Sequence, residues 1–331
     1  MTGNLKKRIL DGDVRALASV LSLIENGDPK VKSILRAIYP HTGRAHVIGV
    51  TGAAGTGKST LIDRMTAEFR RRKKSVGILA VDPTSLFSSG ALLGDRIRMR
   101  DHFADDGVFI RSFATRGGSG GLSSAVRQAI HLLDAAGKDV IFVETIGVGQ
   151  DQLEIAALAH MVVVVLTPQR GDEVQDMKAG LTEIADILVV NKADLPGADE
   201  TVQQLKALFG EEDFHILAAS AIKDRGIDAL VDRIQELREK SFDNGNYQTK
   251  RLHLCRQELL SLLREKVFAK LARKIADGSF EAQVKRIAEG EIDPYSAADK
   301  LARRINTTRL YHNQSNISPQ RRRVHRDRSI S

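Results

Sequence analysis

The chain has one cysteine, Cys255, in 331 residues. That excludes an intrachain disulfide framework and a cysteine-rich metal site. It is compatible with a reducing compartment without demanding one. The start, Met1-Thr2-Gly3-Asn4-Leu5-Lys6-Lys7, has no apolar run behind it, so a secretory signal is not expected. The longest strongly apolar run, Met161–Leu166, is far too short to span a bilayer. By elimination the expectation is a cytoplasmic protein with no membrane role. No segment repeats itself. Acidic residues are scarce in one place: from Arg303 to Ser331 there are eight arginines, no lysine and one acid, Asp327. This tail accounts for seven of the eight excess positive charges, so the body is nearly neutral and a nucleic-acid partner is not expected. With little to bury, the tail reads either as a disordered, solvated segment or as a docking segment for an acidic surface.

What is present is an alternation of strands and helices, on a chain long enough for one large core plus helical extensions. Residues 4–38 carry apolar positions at helical spacing, among them Leu5, Ile9, Leu17, Val20, Leu21 and Ile24, and Asn26-Gly27-Asp28-Pro29 divides them into two predicted helices. Short β-rich runs follow at His46–Val50, Val76–Val81, Val108–Phe113, Val140–Val143, Met161–Leu166, Ile187–Val190 and Phe214–Ala218. Most are apolar at consecutive positions, as in strands covered on both faces. Helices predicted at Ser59–Arg72, Ser123–Ala136 and Ile227–Glu239 supply the covers. The fold class expected is α/β, a doubly wound, mostly parallel sheet of the P-loop type with helical extensions at both ends. The polar stretch Ser241–Asn246 separates it from a long amphipathic helix, Arg251–Ile275, which either forms an interface or packs back on the core. The domain reading is an N-terminal helical extension (1–40), a nucleotide-binding domain (41–240), a C-terminal helical segment (241–305) and the basic tail (306–331).

Two motifs carry the chemistry. Gly52-Ala53-Ala54-Gly55-Thr56-Gly57-Lys58-Ser59, between the strand at His46 and a helix that starts at Lys58, is a phosphate-binding loop. Its three glycines let backbone N–H groups curl toward phosphate oxygens, and the new helix adds its positive end. Lys58 can reach the β- and γ-phosphates, Ser59 can offer its hydroxyl to Mg²⁺, and Thr60 completes the contact set. Asn191-Lys192-Ala193-Asp194, after the strand at Ile187, is a guanine-reading loop. Asp194 can accept from the ring N–H and the amino group of guanine, a donor pair that adenine lacks, so it selects one base and rejects the other. Ser220-Ala221 fits a second loop beside the base. Together these predict a GTPase that cycles GTP and GDP. Metal-organising acids are expected at the carboxyl edge of the sheet: Asp82 after the second strand, Glu144 after the fourth, and Asp95 in the stretch 85–101. Each of the three could instead be a helix cap or a surface charge. No glutamine directly follows Gly147, where Val148 stands, so hydrolysis by the isolated chain is expected to be slow and to need a partner or a moving loop. The glycine-rich stretches 116–121 and 147–149 are candidates for such movement, or ordinary turns.

These stretches resemble the MeaB/ArgK family of P-loop GTPases, relatives of the methylmalonic aciduria type A protein. The resemblance rests on residues 43–52, 55–61, Ala80-Val81-Asp82-Pro83-Thr84-Ser85, Gly94-Asp95-Arg96-Ile97-Arg98-Met99, residues 111–117, Glu144-Thr145-Ile146-Gly147-Val148-Gly149-Gln150, Gly171-Asp172-Glu173, Asn191–Asp194 and Asp293-Pro294-Tyr295-Ser296-Ala297-Ala298. It covers roughly residues 4–305. It implies a GTP-dependent chaperone that gates cofactor loading of an adenosylcobalamin-dependent acyl-CoA mutase, methylmalonyl-CoA mutase by default, and a homodimer held by C-terminal helices. Carried onto this sequence, Lys58 and Ser59 bind phosphate and Mg²⁺, and Asp82, Asp95 and Glu144 organise the metal. Residues 167–178 are a partner-responsive loop with Lys178 swinging toward the nucleotide. The chain departs from the family at Ala53-Ala54, where prolines are common, and at Pro168-Gln169-Arg170, where small residues are common. Two other classes share features with this sequence. A metallochaperone GTPase delivering nickel would show His- or Cys-rich sequences, and here nine histidines are scattered. A ribosome- or nucleic-acid-associated GTPase is suggested only by the tail.

Overall fold

The consecutive apolar runs form one sheet of seven strands, β1 His46–Thr51, β2 Val76–Asp82, β3 Val108–Ala114, β4 Val140–Thr145, β5 Met161–Leu166, β6 Ile187–Val190 and β7 His215–Ala218. The order across the sheet is β3-β2-β4-β1-β5-β6-β7, and every adjacent pair is parallel. The computed structural model describes residues 2–82, 102, 104–114, 121–145, 155–168, 184–210, 215–275 and 278–312.

Alternate residues of each strand feed two cores. On one face, Ile48, Val50, Ile78, Phe142, Val163 and Val189 pack under helices α4 (Lys58–Arg71) and α7 (Ile227–Asp243), through Leu61, Ile62, Met65 and Phe69 of the first and Leu230, Val231 and Ile234 of the second. On the other, Val47, Leu79, Val81, Ile141, Val143, Val162 and Val164 meet α5 (Gly121–Ala135) and the N-terminal helices. This two-sided cover is why the strands read as continuous apolar runs rather than alternating ones.

The N-terminal segment is three helices rather than the expected two: α1 Thr2–Leu10, α2 Val14–Glu25 and α3 Lys30–Ile38. The extra break is chemical. Gly12 sits at φ 74°, and the Asp13 side chain accepts from Ala16 N at 2.9 Å as an N-cap. Apolar spacing runs straight through this point, so periodicity alone missed it. Helix α6 (Ala198–Phe209), between β6 and β7, was also not foreseen; its Leu205 and Phe209 join the core.

Helix α8 (Asn246–Ile275) divides between two compact units, the first ending at Glu258 and the second beginning at Leu259. Its first half belongs to the sheet domain. There Tyr247 and Leu254 are buried, Lys250 pairs with Asp186 at 3.1 Å, and Glu258 meets His131 at 3.0 Å. In the second unit, α9 (Ser279–Ala288) and α10 (Pro294–His312) follow. Among the described residues no helix is long and apolar enough to cross a membrane.

Candidate functional site

The carboxyl edge of the sheet opens into a cavity of about 400 Å³ at the end of β1. Strand order reverses here, since β2 and β4 lie to one side of β1 and β5 to the other; such switch points are where open α/β sheets bind ligands. One end of the cavity is the glycine-rich loop, through Ala54, Gly55, Gly57, Lys58, Ser59 and Thr60. The other end is Asn191, Lys192, Asp194, Ser220, Ala221 and Ile222, and Glu144 reaches in from β4. The structure thus brings together two motifs separated by more than 130 residues.

The loop leaves β1 through Gly52, at φ 143°, so close to β5 that a Cβ there would sit 2.2 Å from the Val165 carbonyl oxygen. It enters α4 through Gly57, at φ 89°, where a Cβ would lie 2.5 Å from Asn191 Nδ2. Both are positions at which only glycine fits. Gly52, Ala53 and Thr56 do not line the cavity; they shape the loop behind it. The Lys58 ammonium donates to Gly52 O at 2.8 Å and Ala53 O at 2.9 Å, and the Thr56 hydroxyl donates to Ala53 O at 3.0 Å. Lys58 and Ser59 are both buried, which places their donors at the mouth of a helix whose first N–H groups point the same way. The Ser59 hydroxyl donates to Glu144 Oε1 at 2.6 Å, both groups being buried.

On the base side, Asn191 is buried and works in two directions. Its Nδ2 donates to Thr56 O at 2.8 Å, and its Oδ1 accepts from Ala221 N at 3.1 Å. It therefore ties the glycine-rich loop to the loop after β7. Lys192 adopts φ 59°, which turns the chain so that Asp194 stands at the rim, and Ala193 N bonds Ala219 O at 3.0 Å. The Ser220 hydroxyl donates to Asp194 Oδ1. That bond, then the residue's own backbone N–H, holds the Asp194 carboxyl below the usual carboxylate range, so at neutral pH it is an ionised acceptor. Sequence reasoning missed Ile222. It is 71% exposed, an apolar side chain on the cavity rim beside Lys192. It forms a hydrophobic wall against which a flat purine can lie; an isoleucine directly after Ser220-Ala221, ahead of the polar run Lys223-Asp224-Arg225, was its only sequence signal.

Asp82 ends β2, one register step beyond the Val81–Thr145 pair, at the same sheet edge. Its side chain is outside the description. Asp95 and Lys178 lie outside the described residues, as do the stretches 116–120, 146–154 and 169–183.

Donors for a polyphosphate at one end, with a buried hydroxyl–carboxylate pair beside them, and an ionised acceptor for a purine edge at the other make a nucleotide site. Known proteins bear on which kind. The family profile described as Methylmalonyl Co-A mutase-associated GTPase MeaB matches residues 17–276. A predicted GTPase of Pyrococcus abyssi is 46% identical over 314 residues, covering 92% of this chain and 97% of its own. GTPase ArgK of Escherichia coli is 30% identical over 318 residues, covering 91% and 96%. The crystal structure of an LAO/AO transport system kinase shares the fold with a TM-score of 0.70 at 26% identity, covering 92% of this chain and 97% of that one. The chain belongs to the MeaB family of P-loop GTPases: it binds GTP and GDP and hydrolyses GTP.

Proposed function

We propose that this GTPase serves as a chaperone of an adenosylcobalamin-dependent acyl-CoA mutase, methylmalonyl-CoA mutase by default, gating its cofactor loading through the nucleotide cycle. The observation that carries the proposal is the family match: a profile whose description names association with that mutase covers 260 residues here, 17–276, through β1–β7 and all of α8. A Caenorhabditis briggsae methylmalonic aciduria type A homolog, 36% identical over 205 residues (57% of this chain, 50% of that one), supports the same reading.

In the proposed site the amides of Ala54, Gly55 and residues 57–60 cradle the phosphates, on the loop that Gly52, Ala53 and Thr56 shape behind them. Lys58 exchanges the carbonyls of Gly52 and Ala53 for the β- and γ-phosphate oxygens. Asp194, steadied by Ser220, accepts from guanine, and Ile222 packs on the ring. The buried oxygens of Ser59 and Glu144, 2.6 Å apart beside the loop, are hard donors of the kind Mg²⁺ takes along with waters and phosphate oxygens. Mg²⁺, when bound, neutralises charge on the phosphate oxygens. Asp82 and Asp95 complete the acid set, and Lys178 approaches the nucleotide when the mutase is present. Water attacks the γ-phosphorus, the bond to the β–γ bridging oxygen breaks, and GDP and phosphate leave. With Val148 where many GTPases place a water-orienting glutamine, the partner completes the hydrolytic site. Exposed Leu259, Leu260, Leu262, Leu263, Val267 and Phe268 on the second half of α8 support a homodimer. The setting proposed is the cytoplasm.

The test is size-exclusion chromatography of the purified chain with methylmalonyl-CoA mutase, in GDP and in a nonhydrolysable GTP analogue, together with GTP turnover. Nucleotide-dependent co-elution and faster turnover are expected. Independent elution in both states, with unchanged turnover, sinks the chaperone reading and leaves the GTPase intact.

A further inference from the structure

One polar contact at the site's edge lies outside both motifs. β1 and β4 are adjacent and parallel, with Val50 opposite Glu144, so Thr51 and Thr145 stand side by side on the opposite face of the sheet from Glu144. Both threonines are buried, and the Thr145 hydroxyl donates to Thr51 Oγ1 at 3.1 Å. The other residues these two strands turn to that face are Val47, Gly49, Ile141 and Val143. Valine would fill either threonine site with the same branching, and a buried hydroxyl is costly unless it is bonded. Packing therefore does not account for two hydroxyls here.

Their position does. Thr51 immediately precedes Gly52, where the phosphate loop begins. Thr145 immediately follows Glu144, which holds Ser59. Gly52 is already seated on β5 at the Val165 carbonyl. The hydroxyl bond is the matching tie on the other side, to β4. We infer that Thr51 and Thr145 form a positioning pair that fixes the carboxyl end of β4 against the end of β1, and so sets Glu144 at the height at which it and Ser59 together receive the metal of the nucleotide complex. This rests on the Mg²⁺ assignment proposed above.

The experiment is equilibrium binding of a nonhydrolysable GTP analogue, followed by calorimetry, over a Mg²⁺ titration and in EDTA. Variants are Thr51→Val, Thr145→Val, the double variant and Thr145→Ser, with Ser59→Ala as reference. Each valine variant should raise the Mg²⁺ concentration for half-maximal enhancement of binding roughly three- to tenfold, the loss of one net hydrogen bond. Affinity in EDTA should stay at the wild-type value. The double variant should be no worse than either single, because both remove the same bond. Thr145→Ser, which keeps the hydroxyl, should restore the wild-type half-point. A wild-type half-point in both valine variants overturns the inference, as does an equal loss in EDTA or a serine variant that behaves like valine. If Ser59→Ala leaves the half-point unmoved, the metal assignment itself fails. A shift in Ser59→Ala without one in the threonine variants fails the positioning pair alone.

Discussion

Asn191→Ala tests the central geometric claim, that one buried amide holds the phosphate loop and the base loops together. The substitution removes the donor to Thr56 O and the acceptor for Ala221 N, whose bonds are 2.8 and 3.1 Å. Thr56 and Ala221 are themselves buried, so water reaches the two abandoned groups poorly. Leaving a buried donor or acceptor unmet costs about 1–3 kcal/mol each, giving roughly 2–4 kcal/mol in all once some rehydration from the cavity is allowed. Because the bonds exist in the nucleotide-free protein, this cost is divided. If the loops stay in register, it appears as lost stability; if they separate, nucleotide binding must bring them back, and at 1.4 kcal/mol per decade affinity falls at least about tenfold.

The assay is calorimetric titration with GDP and with a nonhydrolysable GTP analogue, beside thermal unfolding. Both affinities should fall by the same factor, since neither lost bond touches the γ-phosphate. The unfolding midpoint should fall by several degrees and recover on adding nucleotide. Asn191→Asp keeps the acceptor for Ala221 N but turns a carboxylate oxygen toward Thr56 O, and should be no better than alanine. Wild-type affinities and midpoint in Asn191→Ala would refute the tie, and so would a defect confined to the triphosphate.

Three other outcomes are expected. Lys58→Ala should reduce affinity for the GTP analogue on the order of a hundredfold, the scale of a charge-assisted pair of phosphate contacts, measured by the same titration; unchanged affinity removes Lys58 from the site. Asp194→Asn should trade guanine for xanthine preference, because the amide offers a donor to the altered base edge; a nucleotide panel showing no change places the base elsewhere. Acid should destabilise the opposite edge of the sheet. Burial holds His160 down from 6.5 to about 4, and burial also holds its stacked neighbour His46 well below its ordinary value. Both are neutral in the folded state, so stability is full above pH 6.5. It is lost as pH falls toward 4, by about 3 kcal/mol for His160 alone, because the unfolded chain takes up the protons first. Thermal midpoints from pH 7.5 to 4.5 check this, and His160→Gln should flatten the slope.

Much of this is legible in the sequence. The seven strands were readable because parallel strands covered on both sides are apolar at every position, and the site's two ends were readable because each is a contiguous motif. The contacts between them were not. That Asn191 bonds Thr56, or that Thr145 bonds Thr51, depends on strand order, which places β4 and β5 on either side of β1 although they are far along the chain. Ile222 escaped for a related reason: an exposed isoleucine is unremarkable until the cavity beside it is seen. The break at Gly12-Asp13 escaped because a cap is a local hydrogen bond, and apolar periodicity carries no trace of it.

Strand order also divides the labour of the site. The base-reading groups sit after β6 and β7, on one side of β1; Glu144 and Asp82 sit at the ends of β4 and β2, on the other. Guanine is common to GTP and GDP, so variants on the β6–β7 side, Asn191 and Asp194 among them, should change both affinities equally. Among the described residues, Glu144 and Asp82 on the β4–β2 side stand with Lys58 and Ser59 of the loop where surroundings change when the γ-phosphate leaves. Among the described residues, a surface that distinguishes the two nucleotide states is expected to connect to the loop lysine or to Glu144, Thr145 or Asp82 rather than to Asp194. The ratio of GTP to GDP affinity is the measurement that separates the halves. A base-side substitution that alters the ratio, or a Glu144→Gln that leaves it untouched, contradicts the division.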